Sequence, residues 1–363
     1  MAFIHENPCQ CTKSELDLFS VPPTQTNIES ASYCNYHPLT SVADGVPLEF
    51  EVSGSGDDYI DFGNTYLYLK VKLLRANGDN LDAADAVAPT NYFLHSLFSQ
   101  VDISLNGTQI TTATHTYPYR AFIEALLSDG SDSKTSQLSG GLFYKDDAGR
   151  MNNVDVDGDN TNSGFLERRA LTAESRILDL MGRIHADIFF QDRYMLNEVN
   201  VKIKFTRSKD AFCLLADGNL TVRIMAAELF VRKVRLSPSV FLAHANATQH
   251  GTAKYPIKRV VCKTFTVPIG FFDVSNEKLF SGQLPARLVV GLVDNEAFNG
   301  VFARNPFEFQ HFGLSEIAVY MDGQQSQSVR VLRPDYERGQ NKKRIKIRRQ
   351  RRRGGGGGRR RQR

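Results

Sequence analysis

The sequence predicts an all-β protein made of two similar domains in tandem, followed by a cationic tail. Three observations carry this expectation. Apolar residues alternate at period two along many short segments, turn dipeptides punctuate those segments, and one segment is echoed a whole domain later.

Alternation puts one face of a pleated strand in a core and the other in water or against a neighbour. It marks residues 65–74, 101–105, 199–205, 220–225, 229–236, 259–267, 287–293 and 316–321. The turn signals are Asn77-Gly78, Asn106-Gly107, Asp217-Gly218 and Asp322-Gly323. Short strands with frequent turns indicate a sandwich or barrel. One helix is predicted over 119–127, after Pro118, with Phe122, Ile123, Leu126 and Leu127 on one face. Residues 164–181 read as partly helical. Residues 128–165 form a polar insertion rich in Ser, Asp, Asn and Gly, with an apolar island at Leu142-Phe-Tyr144. The echo pairs Phe93-Leu-His95 and the following Phe98 to Gly107 with Phe309-Gln-His311 and Leu314 to Gly323. A period of domain size argues for duplication, with a split near 245–258, and not for a solenoid.

Among the 363 residues, 41% are hydrophobic and 23% charged, which excludes collagen, coiled coil and a wholly disordered chain. No run approaches the roughly 18 apolar residues of a membrane span, so no membrane association is expected. Met1 to Gln10 lack a basic region followed by an apolar stretch, so the chain is expected to be intracellular and not secreted. Cys9, Cys11, Cys34, Cys213 and Cys262 are odd in number and scattered, as reduced thiols are. Cys9 and Cys11 form a C-x-C pair with His5 nearby and Cys34 and His37 further off, short of a zinc set.

Other candidates for chemistry are weak. Asp155-Val-Asp-Gly-Asp-Asn160 opens like a calcium loop, but Asn160 stands where the turning glycine belongs and Leu166 where the bidentate glutamate belongs. It reads as a solvated acidic loop. Gly54-Ser-Gly-Asp-Asp58 lacks the lysine and following helix of a phosphate loop, and reads as a turn with Asp57, Asp58 and Asp61 on the surface. His185, near Asp187 and Asp192, offers a His–Asp pair for general-base work or, more commonly, a satisfied interior group. No nucleophile has a recognisable signature. The expectation is therefore no enzyme, no cofactor and no metal. The sequons at Asn106, Asn219 and Asn246 read as accidental without a secretory signal.

Charge is divided unevenly. Residues 338–363 hold 14 basic and no acidic residues, which leaves the rest with 30 basic and 40 acidic, a net of −10. Such a tail is expected to be disordered, and its natural partner is a polyanion. The candidate nucleic-acid contacts are Lys342, Lys343, Arg344, Lys346, Arg348, Arg349, Arg351, Arg352, Arg353, Arg359, Arg360 and Arg361. A nuclear-import role fits the same residues.

A series of motifs gives a more specific reading. It opens with Phe19-Ser-Val-Pro-Pro-Thr-Gln-Thr-Asn-Ile-Glu29 and Pro47-Leu-Glu-Phe-Glu51. It continues through Leu94-His-Ser-Leu-Phe-Ser-Gln100, Thr116-Tyr-Pro-Tyr-Arg120 and Gly182-Arg-Ile-His-Ala-Asp187. It closes with Phe230-Val-Arg-Lys-Val-Arg-Leu236, Leu279-Phe-Ser-Gly-Gln-Leu-Pro285 and Asp294-Asn-Glu-Ala-Phe-Asn-Gly300. Together these resemble the major capsid protein of Polinton (Maverick) transposons and adintoviruses, copies of which stand in animal genomes as uncharacterised reading frames. The resemblance implies a hexon-like double jelly roll, with no catalytic residues to carry over. It implies homotrimers that tile an icosahedral shell around double-stranded DNA, and a minor capsid or penton-type partner. The implied location is the virion, after assembly inside the cell. The division expected is an arm at 1–17, a first roll at 18–245 carrying the 128–165 insertion, a partial second roll at 246–337, and the tail. The arginine tail begins where the family's second roll continues.

Overall fold

A computed structural model gives the fold over residues 25–42, 45–54, 56–271, 273–275, 279–280, 285–321, 324–325 and 332–334. Two compact units are present. The larger holds Val21–Thr266 and Val293–Glu308, and the smaller holds Val267–Leu292 and the chain from Phe309 onward.

The larger unit is built on eight strands. In chain order they are β1 (Ile28–Tyr36), β2 (Leu48–Val52), β3 (Asp58–Arg75), β5 (Phe98–Leu105), β6 (Thr108–Gln109), β7 (Leu178–Arg183), β8 (Val201–Arg207) and β10 (Leu220–Leu236). Two short strands, β4 (Val87–Pro89) and β9 (Leu214–Ala216), pair separately. One sheet runs β1-β10-β3-β7 and the other β2-β8-β5-β6, all antiparallel. Counted along the eight, that is 1-8-3-6 against 2-7-4-5, the doubly wound Greek-key order of a jelly roll.

Alternation places Leu67, Leu69, Val71 and Leu73 of β3 in the core, with Val222, Leu229 and Val231 of β10. The facing sheet contributes Leu48, Phe50, Ile103, Ile203 and Phe205. Phe205 meets Phe98 at 4.9 Å and Phe50 edge-on at 5.9 Å. The Asn106-Gly107 turn joins β5 to β6 with φ of 46° and 80°, the mirror-image turn that its dipeptide favours. The two strands expected at 220–225 and 229–236 are one strand, β10, which bulges by one residue between Ile224 and Ala226, while β3 carries the extra residues between Asp61 and Tyr66, opposite Arg232 and Phe230.

Among the described residues seven α-helices accompany the sheets: α1 (Phe93–Ser96), α2 (Tyr117–Ser128), α3 (Ser131–Thr135), α4 (Ser163–Thr172), α5 (Asp210–Cys213), α6 (Pro238–His250) and α7 (Asn295–Asn299). Helix α2 is the predicted one, but its buried side is Tyr117, Tyr119, Ala121, Phe122 and Ala125. Leu126 and Leu127 stay exposed, so the apolar face lies about a quarter-turn from the one expected. The 128–165 insertion is more ordered than a connecting loop: α3 and a 3-10 helix at Gln137–Gly141 lead to buried Leu142 and Phe143.

Residues 259–267 carry no strand despite their alternation. A strand needs a neighbour for its backbone groups, and the Val260 N–H goes instead to the Asp187 carboxylate at 3.2 Å. Residues 287–293, which run to the end of the Val267–Leu292 stretch of the smaller unit and into Val293 of the larger, likewise form no regular strand, with Val289 and Val290 exposed. In the smaller unit the regular pairing among the described residues is β11 (Tyr320–Met321) with β12 (Gln324–Gln325), beside a mutual backbone bridge between Ile317 and Leu332. The repeat of Phe93 to Gly107 thus differs locally: the first copy is α1 followed by β5, whereas 309–311 is not helical.

Candidate functional site

Two clusters of buried polar side chains mark the larger unit. The first lies between α2, α1 and the chain after β7. Tyr92 enters α1 with φ of 57°, a left-handed conformation that costs a bulky residue roughly 1–2 kcal/mol. Its N–H donates to Leu142 O at 3.0 Å, and its hydroxyl meets His185 Nε2 at 2.8 Å. His185 Nδ1 faces Glu124 Oε2 at 2.9 Å. Arg120, one helical turn before Glu124, reaches Glu124 at 3.2 Å and Asp187 at 2.5 Å. The Tyr117 hydroxyl lies 2.9 Å from His95 Nδ1 and accepts the His185 N–H at 3.3 Å. The two imidazoles meet edge to face at 4.7 Å, and His95 Nε2 is buried with no hydrogen-bond partner.

Burial, with His185 adding to it, holds His95 well below the usual histidine range, so this ring is neutral. Burial likewise raises the Tyr92 and Tyr117 phenols. For Glu124 burial pushes upward, but the hydrogen bond from His185 and the Arg120 charge outweigh it and hold the carboxyl below its ordinary value.

A Tyr–His–Glu chain has the donors and acceptors of a general-base relay. Its adjoining cavity, lined by Tyr117, Arg120, His185, Asp187, Val260 and Cys262, holds about 40 Å³. That admits a few waters and is far below the ~300–1,000 Å³ of small-molecule sites. The relay atoms are taken up by one another, and what they accomplish is to fasten α2 to the end of β7.

The second cluster centres on Arg168, fully buried on α4. Its Nε donates to Pro89 O at 2.8 Å, Nη1 to Tyr144 O at 2.7 Å and Nη2 to Asp146 at 2.6 Å. Asp146 also accepts from Asn162 at 3.0 Å and Asn305 at 3.2 Å. Beside it, Ala88, Phe165 and Leu215 form an apolar patch.

His185 is interior, as one of its two readings had it, but its carboxylate is Glu124; Asp187 is taken by Arg120, and Asp192 is exposed. Asp61 is a correction: it is buried, bound by Arg232 at 3.0 Å and by Asn64 at 2.8 Å, because β10 brings an arginine across from it. Asp58 pairs with Arg235 at 3.1 Å, and Asp57 is exposed. Asp155, Asp157 and Asp159 lie in an irregular loop. Among the described residues no group of three or more His, Cys, Asp or Glu is placed to hold a metal ion. Nor is any helix long and apolar enough to cross a membrane. His5, Cys9, Cys11 and the basic candidates from Lys342 to Arg361 lie outside the described residues. Cys34 is half-buried on β1, and His37, just after that strand, is exposed.

The sequence reading missed Arg168, Asp146 and Asn305. A signal existed for Arg168: it shares a helical stripe with Phe165 and Thr172, at i, i+3 and i+7, where an arginine must be paired.

No protein-family model matches the chain. It is similar to the uncharacterized protein F54H12.2 of Caenorhabditis elegans, 25% identical over 317 residues, covering 84% of this chain and 73% of that one. Its structural neighbours are viral. A chain of the Sputnik virophage matches with a TM-score of 0.45 at 12% identity, over 64% of this chain and 53% of that one. The Faustovirus major capsid protein matches with a TM-score of 0.37 at 10% identity, over 64% and 58%. The mavirus major capsid protein matches with a TM-score of 0.34 at 9% identity, over 64% and 53%. The chain spans about half the length of the solved structures it matches.

Proposed function

We propose that the chain is a structural, non-enzymatic shell subunit: the major capsid protein of a Polinton-type element, associating as homotrimers that tile an icosahedral lattice. The observation that carries the reading is the jelly-roll strand order of the larger unit, taken with the motif series from Phe19 to Gly300. The buried polar clusters are consistent with it, because their groups are largely taken up by one another, and the cavity beside the His185 cluster holds about 40 Å³. The smaller unit adds exposed Val267, Ile269, Phe271, Val289 and Val290, apolar surface that association would cover. On this reading residues 246–337 form a partial second roll, a minor capsid protein is a further partner, and the assembled protein resides in the virion. Light scattering and negative-stain microscopy of the purified full chain test it. Trimers and larger shells are expected; a strictly monomeric species at high concentration would refute it.

A second reading rests on the tail, where 14 basic residues stand without an acidic one. It makes the chain an intracellular nucleic-acid-binding protein that contacts double-stranded DNA through Lys342 to Arg361. Deleting 338–363 should then abolish DNA binding and its steep salt dependence. Assembly that survives the deletion favours the shell reading.

A further inference from the structure

Residues 293–308 belong to the larger unit although the 26 residues before them and the chain after them belong to the smaller one. They act as a strap. Asp294 caps the short helix α7 by accepting the Glu296 N–H, and Phe298 stacks on Tyr119 at 5.5 Å and 14°. Phe307, 2% exposed, stacks on Phe122 at 4.4 Å and 15° and meets Phe212 edge-on at 6.1 Å. Asn305, 0% exposed, donates to Asp146 at 3.2 Å and Met151 O at 3.1 Å, and its N–H donates to Asn152 at 2.6 Å. Pro306 between them is buried and has a fixed φ, which lowers the entropy lost when the strap is seated. Backbone pairing is slight: Ala216 donates to Phe302 O, and the strap adds no strand to a sheet.

We propose that the groove formed by α2, α5 and residues 142–162 is a peptide-binding site for the Asn-Pro-Phe strap, held through side-chain anchors and separable from the chain that carries it. Recognition has two parts: a flat aromatic slot that takes Phe307, and a buried carboxylate and carbonyl that take the two amide hydrogens of Asn305. A peptide lacking either anchor leaves Asp146 short of a donor or the slot empty. The inference does not depend on shell formation.

The probe is a fluorescein-labelled peptide of residues 293–308, followed by anisotropy against the full chain and against a full chain carrying N305A and F307A. The wild-type groove is filled by its own strap, so the peptide should bind the double variant at least about tenfold more tightly than the wild type. A peptide carrying the same two substitutions should bind neither. Equal binding of both peptides to the variant overturns the proposal. So does absence of binding while hydrogen exchange shows its β3 and β10 amides still protected. Should the variant fail to fold, wild-type chain cut at a protease site engineered after Gly270 decides the matter: excess labelled peptide is expected to replace the tethered strap, and failure to incorporate overturns the proposal.

Discussion

The Arg168 cluster and the His185 cluster sit in the same unit and use the same kinds of group, yet they stand differently toward water. Around Arg168 every guanidinium nitrogen donates and the Asp146 carboxylate takes three donors, with both side chains fully buried. Around His185 the carboxylates are about a fifth exposed, a cavity adjoins, and His95 Nε2 has no partner. In the first cluster each of the three guanidinium nitrogens and both Asp146 oxygens have a partner. The second retains a neutral imidazole whose charge depends on pH. Burial alone does not separate them; completeness of hydrogen bonding does.

The largest effect should come from breaking the closed cluster. Arg168→Ala strands Asp146 without its cation, and removing one partner of a buried pair costs about 3–5 kcal/mol. Chemical denaturation should show a loss of that order. A loss under about 1 kcal/mol would mean that water enters the cluster and that the contrast drawn above is wrong. Next comes pH. His95 is depressed in the folded state, so below about pH 6.5 the unfolded chain binds a proton that the folded chain refuses, and stability falls as pH falls. The slope approaches about 1.4 kcal/mol per pH unit for one full proton. Thermal melts of wild type and His95→Gln between pH 7 and 5 should diverge, with the variant losing most of the slope. Glu124→Gln is third. It keeps the shape but removes the charge facing Arg120 and His185, and a cost of about 1–2 kcal/mol is expected in the same melts.

Four strands of the jelly roll, β3, β5, β8 and β10, were legible in the sequence, and the reason is local, whereas β1, β2 and β7 were not read as strands. β3, β5 and β8 alternate cleanly because each buries one face against a neighbour, and Asn106-Gly107 fixes its own hairpin. Residues 259–267 and 287–293 alternate just as well without forming strands, because alternation reports what a strand would bury and not whether a partner is present. The polar clusters were barely legible. Tyr92, Glu124 and His185 are 93 and 61 residues apart along the chain in their two contacts, and no local pattern joins them. Asn305 and Asp146, separated by 159 residues, are further from any local signal.

The smallest expected effect lies on the exposed face of the sheet and sets the lower end of the comparison. The Tyr68 hydroxyl donates to Asp179 at 2.5 Å, and Asp179 also stands 4.0 Å from Lys70, whose side chain is exposed. Asp179→Ala should change stability by less than about 1 kcal/mol, because an exposed pair trades one set of water-strength contacts for another. The same substitution should still be visible in protonation. The hydrogen bond to Asp179, with burial second, raises the Tyr68 phenol to about 12, so removing the carboxylate should return it toward the ordinary tyrosine value near 10. A spectrophotometric titration of tyrosinate absorbance, wild type against D179A, reads this directly. If one phenol moves down while the melting temperature stays put, then hydrogen bonding sets protonation on the wet face without setting stability, whereas inside the Arg168 cluster it sets both. If the melting temperature falls as it does for Arg168→Ala, solvent exposure is not what distinguishes the clusters.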